Sequence, residues 1–194
     1  EHTNLVYGAI SLSDNNILSW SFDHNLIIWS EDGLPITKLT GHQYSVNGAI
    51  ELKDGRILSW GTDNTLRLWD KNGYLFSVLD GHNHFVTGAI ELKDGRILSW
   101  SDDKTLRCWD KNGILLKIWF HCEYAIFKVI VLENNRIVSL SDGALQFWEE
   151  NGNLINKLEV DANYLAGILQ LKDGKLLSWS DNGSLYIWNE NNEL

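Results

Sequence analysis

The sequence predicts an all-β chain made of five tandem copies of one small antiparallel sheet. Three observations predict it. The run GAIELKDGRILSW occurs twice, at 48–60 and at 88–100, and looser copies flank both. A Trp closes the third apolar run of every copy, at Trp29, Trp69, Trp109, Trp148 and Trp188, with spacings of 40, 40, 39 and 40. Turn-forming pairs such as Asp-Gly and Asn-Gly cut the chain into apolar runs too short for helices. A fixed period of this size means a repeat architecture, in which each unit buries its apolar face against its neighbour.

The elements follow in order from the second copy. Its four strands read as Val46–Leu52, Arg56–Gly61, Thr65–Trp69 and Tyr74–Leu79. Asp54-Gly55 ends the first run, and Asn72-Gly73 precedes the fourth. Both pairs favour positive φ and predict tight type I′ hairpin turns. The same chemistry recurs at Asp94-Gly95, Asp173-Gly174, Asn112-Gly113 and Asn151-Gly152. Asp14-Asn15 and Asn134-Asn135 fill the slot in copies one and four, and Asn tolerates the left-handed conformation. In the third run Leu66 and Leu68 alternate with Arg67 and Trp69, the period-two pattern of a strand. The copies are taken as 2–41, 42–81, 82–121, 122–160 and 161–194, forming a single domain over 1–194. Copy five stops at Asn191–Leu194, where a fourth strand would begin, so nineteen strands are expected.

Composition narrows the classes. A content of 44% hydrophobic and 22% charged residues fits a globular chain rather than a disordered one. A net charge of −10, without a run of Lys and Arg to neutralise phosphates, argues against nucleic acid as a partner. No apolar run approaches the roughly 18 residues of a membrane helix, so no membrane partner is expected. Cys108 and Cys122 form no C-x-x-C pair, which argues against a zinc knuckle. Reduced thiols fit the cytoplasm. No signal-peptide pattern is present, and the chain starts at Glu1 rather than Met, as a processed chain or an excised piece would.

Two segments carry a more specific pattern. Gly41-His42 leads to Trp69-Asp70, and Gly81-His82 leads to Trp109-Asp110. This spacing resembles the WD-repeat family of β-propellers. The resemblance implies four-stranded blades arranged radially, here five blades with the last lacking its outer strand. Such a chain is expected to close on itself with a three-stranded last blade, to be part of a larger propeller, or to be completed by another chain, a second copy included, through the open blade edge. The resemblance also implies a buried polar network in each blade. Its members would be His2, Ser19, Asp23 and Trp29, then His42, Ser59, Asp63 and Trp69, then His82, Ser99, Asp103 and Trp109. Buried polar groups are costly unless paired, so a structural role for these sets makes physical sense. A catalytic-triad reading has against it that the set recurs in three copies. Copy four has Cys122 at the His slot and a deletion in the turn of the Asp. Copy five has Asp161 and Asn182, keeping only Ser178 and Trp188, so both networks should be incomplete. Trp20, Trp60, Trp100 and Trp179 stand on second strands, with Leu140 in copy four. They read either as packing between blades or as an aromatic platform for a ligand.

By the same resemblance, a partner would meet the loops before the first strand and after the second. The positions are Leu5, Tyr7 and Phe22; Ser45, Asn47 and Thr62; Phe85, Thr87 and Asp102; Ala125 and Phe127; and Tyr164, Ala166 and Asp181. They vary between copies while the frame does not, and several are aromatic, as at interaction surfaces. The expected function is a non-catalytic scaffold module that binds a protein or peptide, with no cofactor and no metal. Two alternatives stand beside it: a carbohydrate-binding, lectin-like five-bladed propeller, and a fragment of a larger propeller whose role is assembly. A glycosidase would need two converging carboxylates, one with a raised pKa. The acids here instead occupy turns, such as Asp54, Asp94 and Asp173. Calcium at Asp70–Gly73 or Asp110–Gly113 would lack the further ligands of a twelve-residue loop.

Overall fold

A computed structural model describes residues 1–120, 124–141, 143–160 and 165–189. It forms two compact units, one of residues 1–103 and 107–118, the other of residues 104–106 and 119–194. The first holds three four-stranded meanders, apart from the end residues Leu106 and Trp119 of the third: β1 (Val6–Ser11), β2 (Ile17–Ser21), β3 (Asn25–Trp29) and β4 (Pro35–Thr40); β5 (Val46–Glu51), β6 (Ile57–Gly61), β7 (Leu66–Trp69) and β8 (Leu75–Leu79); β9 (Val86–Glu91), β10 (Ile97–Ser101), β11 (Leu106–Trp109) and β12 (Leu115–Trp119). The second holds β13 (Ile126–Val131), β14 (Ile137–Ser141), β15 (Ala144–Trp148) and β16 (Leu154–Glu159), then a three-stranded sheet of β17 (Leu165–Gln170), β18 (Leu176–Ser180) and β19 (Leu185–Trp188). The described residues thus carry the nineteen expected strands, and the strands of the second copy begin and end within one residue of expectation. The chain end at 190–194 lies outside the described residues, as do Cys122, Asp161 and Tyr164.

The hairpin turns differ from the expected type I′. At 52–56 the Gly55 N–H donates to Leu52 O and the Leu52 N–H donates to Arg56 O. Only Gly55 has positive φ, at 82°, while Lys53 and Asp54 keep negative φ. This is a three-residue loop, a type I turn closed by one left-handed residue. The physical reason is the aspartate, whose Oδ1 accepts the Arg56 N–H two residues on and holds the turn right-handed. Asn15 (φ 70°) and Asn135 (φ 65°) take the left-handed slot in copies one and four, as their chemistry predicts.

Sheets stack because each presents two apolar faces. Leu18, Leu26, Ile28 and Leu39 of the first sheet pack on Val46, Ala49, Ile57 and Trp69 of the second. Leu58, Leu66, Leu68 and Leu79 pack in the same way on Val86, Ala89, Ile97 and Trp109. In the second unit Val138, Leu145 and Phe147 meet Leu165, Ile168, Leu176 and Trp188. Each such aliphatic side chain removed from water stabilises by about 1.5–3 kcal/mol. Polar clasps add to the apolar contact. Glu51 reaches back to accept the Ser13 N–H at 2.7 Å and its hydroxyl at 2.6 Å, and Glu91 accepts the Lys53 N–H at 2.8 Å.

The second-strand tryptophans lie across first-strand glycines. The cross-strand pairs are Gly8–Trp20, Gly48–Trp60, Gly88–Trp100 and Gly167–Trp179. A Cβ on Gly88 would stand 2.1 Å from Trp100 Cζ2, so the indole occupies the space a side chain would fill. In copy four both partners change together, to Lys128 and Leu140.

Candidate functional site

Three of the expected networks are complete and nearly superposable in their distances. Trp29, Trp69 and Trp109 Nε1–H donate to Ser19, Ser59 and Ser99 Oγ at 2.8, 2.8 and 2.9 Å. Each serine lies 2.8 Å from the Nε2 of His2, His42 or His82. Each Nδ1 lies 2.8–2.9 Å from Oδ2 of Asp23, Asp63 or Asp103. A carboxylate accepts only, so Nδ1–H donates to the Asp and the serine hydroxyl donates to Nε2. The polarity therefore runs one way, from indole through hydroxyl to imidazole. Burial disfavours the charged ring and holds His42 and His82 below the ordinary 6.5, against the pull of Asp63 and Asp103. Burial alone would raise Asp23. Hydrogen bonds from the Thr3 N–H, His2 and Asn25 outweigh it and bring the carboxyl down to about 2. Asp63 is also held below the usual carboxylate range, burial being outweighed by His42, the Gln43 N–H and Thr65.

Copies four and five keep the indole–hydroxyl bond, Trp148 to Ser139 and Trp188 to Ser178, both at 2.9 Å. Asn182 stays in its own turn, where its Oδ1 accepts from the Ser180 hydroxyl and the Ser184 N–H. The one-residue deletion shortens the copy-four hairpin, so Ser141 pairs directly with Ala144 beside left-handed Gly143. Two arginines escaped the sequence reasoning. Arg67 and Arg107 are buried, with Nη2 3.7 and 3.6 Å from Asp63 and Asp103 Oδ2. A Cβ on Gly41 or Gly81 would stand 3.0 or 2.6 Å from their Nη1, so the Gly of Gly-His leaves room for a guanidinium. The signal was available: copy one, which lacks the Gly, has Ile27 in place of the arginine.

The positions expected to meet a partner gather at one end of each sheet. The Phe22, Thr62 and Asp102 N–H groups donate to Leu5, Ser45 and Phe85 carbonyls at 2.8, 2.9 and 3.1 Å, which brings the two loops together. Tyr7, Asn47, Thr87, Phe127 and Ala166 are the extra residues of a β-bulge, where the register of the first and second strands slips. A bulge re-aims its side chain, a reason for these positions that the repeat pattern did not reveal. In the first unit Phe22, Ser45, Thr62 and Phe85 line one cavity of about 450 Å³ together with His24 and Tyr44. Phe22, Tyr44 and Phe85 are exposed, Ser45 is buried, and Tyr7 adds its ring 6.1 Å from Phe22. His24 lies 6.2 Å from Tyr44, and His84 stacks at 4.5 Å on Phe85 and faces Asp102 at 3.6 Å. His24, Tyr44 and His84 were missed because they have no repeated slot of their own chemistry. Other positions have internal partners. Asn47 donates to the Val86 carbonyl at 3.0 Å, and Thr87 sits 3.4 Å from the Trp100 carbonyl. In the second unit Phe127 packs against the core, Ala125 is half-buried, and Ala166 and Asp181 are exposed.

The turn acids have local partners. Arg56, Arg96 and Lys175 bond Asp54, Asp94 and Asp173. All three carboxyls are lowered, Asp54 and Asp173 chiefly by those side chains, and Asp94 by the Arg96 bonds that outweigh its burial. A glycosidic acid needs the opposite shift. Asp70 and Asp110 Oδ1 cap their turns, accepting two backbone N–H groups each at 2.8–2.9 Å.

Residues 33–70 and 73–110 match the family model of the WD domain, G-beta repeat. Among solved structures, the chain is similar to the WD40 β-propeller domain of Doa1, at 24% identity and a TM-score of 0.80. That match covers 98% of this chain and 65% of the other. It is also similar to the computationally designed Ika8 protein, at 26% identity and a TM-score of 0.84, covering 96% and 59%. The chain thus spans less than two thirds of the length of either. No curated protein matches the sequence.

Proposed function

The chain carries WD repeats and has the fold of WD40 β-propellers, and from that premise we propose that it is a non-catalytic module binding a protein partner through a peptide or loop. The anchor point is the cavity between Phe22, Tyr44 and Phe85. The observation that carries this reading is the convergence of three exposed rings from three copies on one cavity of about 450 Å³. Rings of this kind act as hot spots when a partner desolvates them. The chemistry fits an apolar or aromatic anchor residue, with His24 and His84 at the rim for polar contacts. In this reading the module works in the cytoplasm, where buried Cys108 stays a thiol. A sugar platform of second-strand tryptophans has less support, because each ring is spent on its cross-strand glycine.

The test is a peptide-display selection on the purified chain, followed by calorimetry on the selected peptides. Selected sequences should share an apolar anchor, and Phe85→Ala or Tyr44→Ala should weaken binding about tenfold or more. Phe76→Ala, on the exposed face of β8, should leave binding unchanged. Equal affinities for wild type and both cavity variants would remove this cavity from consideration.

A further inference from the structure

The first and last sheets leave bare faces whose counterparts are covered within the first unit. On the last sheet Leu185 and Ile187 are 69% and 54% exposed, whereas their counterparts Leu26, Ile28, Leu66 and Leu68 are 0–5% exposed. On the first sheet Val6 is 48% exposed, whereas Val46 and Val86 are fully buried. Ala9 is exposed, and Ile17 and Trp29 are half-buried, unlike Ala49, Ile57 and Trp69.

These bare faces are the two halves of an interface the chain already builds. Between the first and second sheets, Leu18, Leu26 and Ile28 meet Val46, Ala49, Ile57 and Trp69. The last sheet offers Leu177, Leu185 and Ile187, residue for residue the same types. The first sheet offers Val6, Ala9, Ile17 and Trp29, again the same types. Of the polar contacts the lysine half is present, while the slot of Glu51 and Glu91 holds Ser11 on the first sheet. Lys53 Nζ donates to the Leu92 carbonyl of the next sheet at 2.9 Å, and copy five has Lys172 in that slot. β19 also has no fourth strand beside it among the described residues, which leaves a row of backbone donors and acceptors open.

We propose that a second copy of this chain docks head to tail, the Val6–Trp29 face of one copy seated on the Leu185–Ile187 face of another. The occupant is a second copy because the surface complementary in residue type stands on the last sheet of the same chain. The contact is heterologous: each copy donates one face and accepts on the other.

The experiment is light scattering during size exclusion at rising concentration, with Val6→Asp and Ile187→Asp as the variants. The wild type should reach at least twice the 22.2 kDa of one chain. Each variant alone should run as one chain with an unchanged far-ultraviolet spectrum. Mixing the two variants should restore a species of two chains, since each keeps the face that the other has lost. A wild type that stays monomeric at every concentration would overturn the proposal. Association that survives Val6→Asp would also overturn it, by pointing to a symmetric contact through the last sheet alone.

Discussion

At the residue scale, the His–Ser–Asp sets show how identical chemistry takes opposite meanings in different surroundings. An Asp–His–Ser chain ending on a solvent-facing hydroxyl is poised for nucleophilic attack; here the hydroxyl ends on a buried indole N–H. Asp63 gathers bonds from His42, the Gln43 N–H and Thr65. Asp63→Ala strands these donors and should cost about 1–3 kcal/mol in a denaturant titration; a loss of a few tenths would show the network to be dispensable. The pH dependence follows from the same groups. His42 and His82 are lowered in the folded state, so the unfolded chain binds protons first. Stability is full above about pH 6.5 and falls as pH drops through the folded-state values. Asp23, at about 2 against an ordinary 3.8, adds a second loss between those two values. Denaturation midpoints should therefore decline below neutrality and decline again below pH 4; a midpoint that rose between pH 7 and 5 would contradict neutral histidines. The twelve network residues were legible through the resemblance to WD repeats, which implies a buried polar network at these slots. Arg67 was visible as a letter but not as a buried charge, since alternation places it on a face without saying what lies opposite.

At the scale of the strand and its hairpin, the positions of the strands were written in the turn residues, whereas the turn type was not. Asp-Gly marks a hairpin, but the aspartate's own bond to the N–H two residues on selects the three-residue loop over the two-residue one. The bulges were invisible for a related reason. A single extra residue on one strand leaves no trace in a repeat that carries it in every copy. The Gly–Trp pair gives a sharp test at this scale. Gly88→Ala drives a methyl into the Trp100 ring and should cost about 1–3 kcal/mol. Trp100→Leu in the same chain removes the obstacle, so the double variant should lose less than the sum of the singles, with a coupling of about 0.5–3 kcal/mol. Additive losses in the thermodynamic cycle would mean that the ring simply turns aside.

At the scale of the molecule, every sheet-to-sheet contact described uses one recipe: large apolar side chains, mostly leucines in the first unit, on the leading face, then Val or Leu, a small or branched residue, Ile or Leu, and Trp on the trailing face. That regularity was legible as repeated letters, but which sheets would be left bare was not, because the same letters are buried on some sheets and exposed on the first and last. Leu26 and Leu185 are one residue type in one slot with opposite fates. The cavity was half legible: the expected slots pointed to Phe22 and Phe85, while the slots of Tyr44 and His24 carry a different residue in each of the first three copies. Removing residues 42–81 joins Gly41 to His82, the same Gly-His junction that Gly81 makes. It sets Leu18, Leu26 and Ile28 against Val86, Ala89, Ile97 and Trp109, and leaves Glu91 to take the place of Glu51 at Ser13. This shortened chain should keep a β-sheet circular dichroism spectrum and buried tryptophan fluorescence; an aggregated or unfolded product would show that the trailing faces are not interchangeable.

The clasp and the apolar seam treat any neighbour of the right kind alike, and this bears on heredity as well as on folding. A stretch of gene that encodes nearly the same forty residues twice invites misaligned recombination. Here each such accident, gain or loss, yields a chain whose new joint is one the old chain had already tested. Length can then change in whole steps, with no passage through an unpacked intermediate sequence.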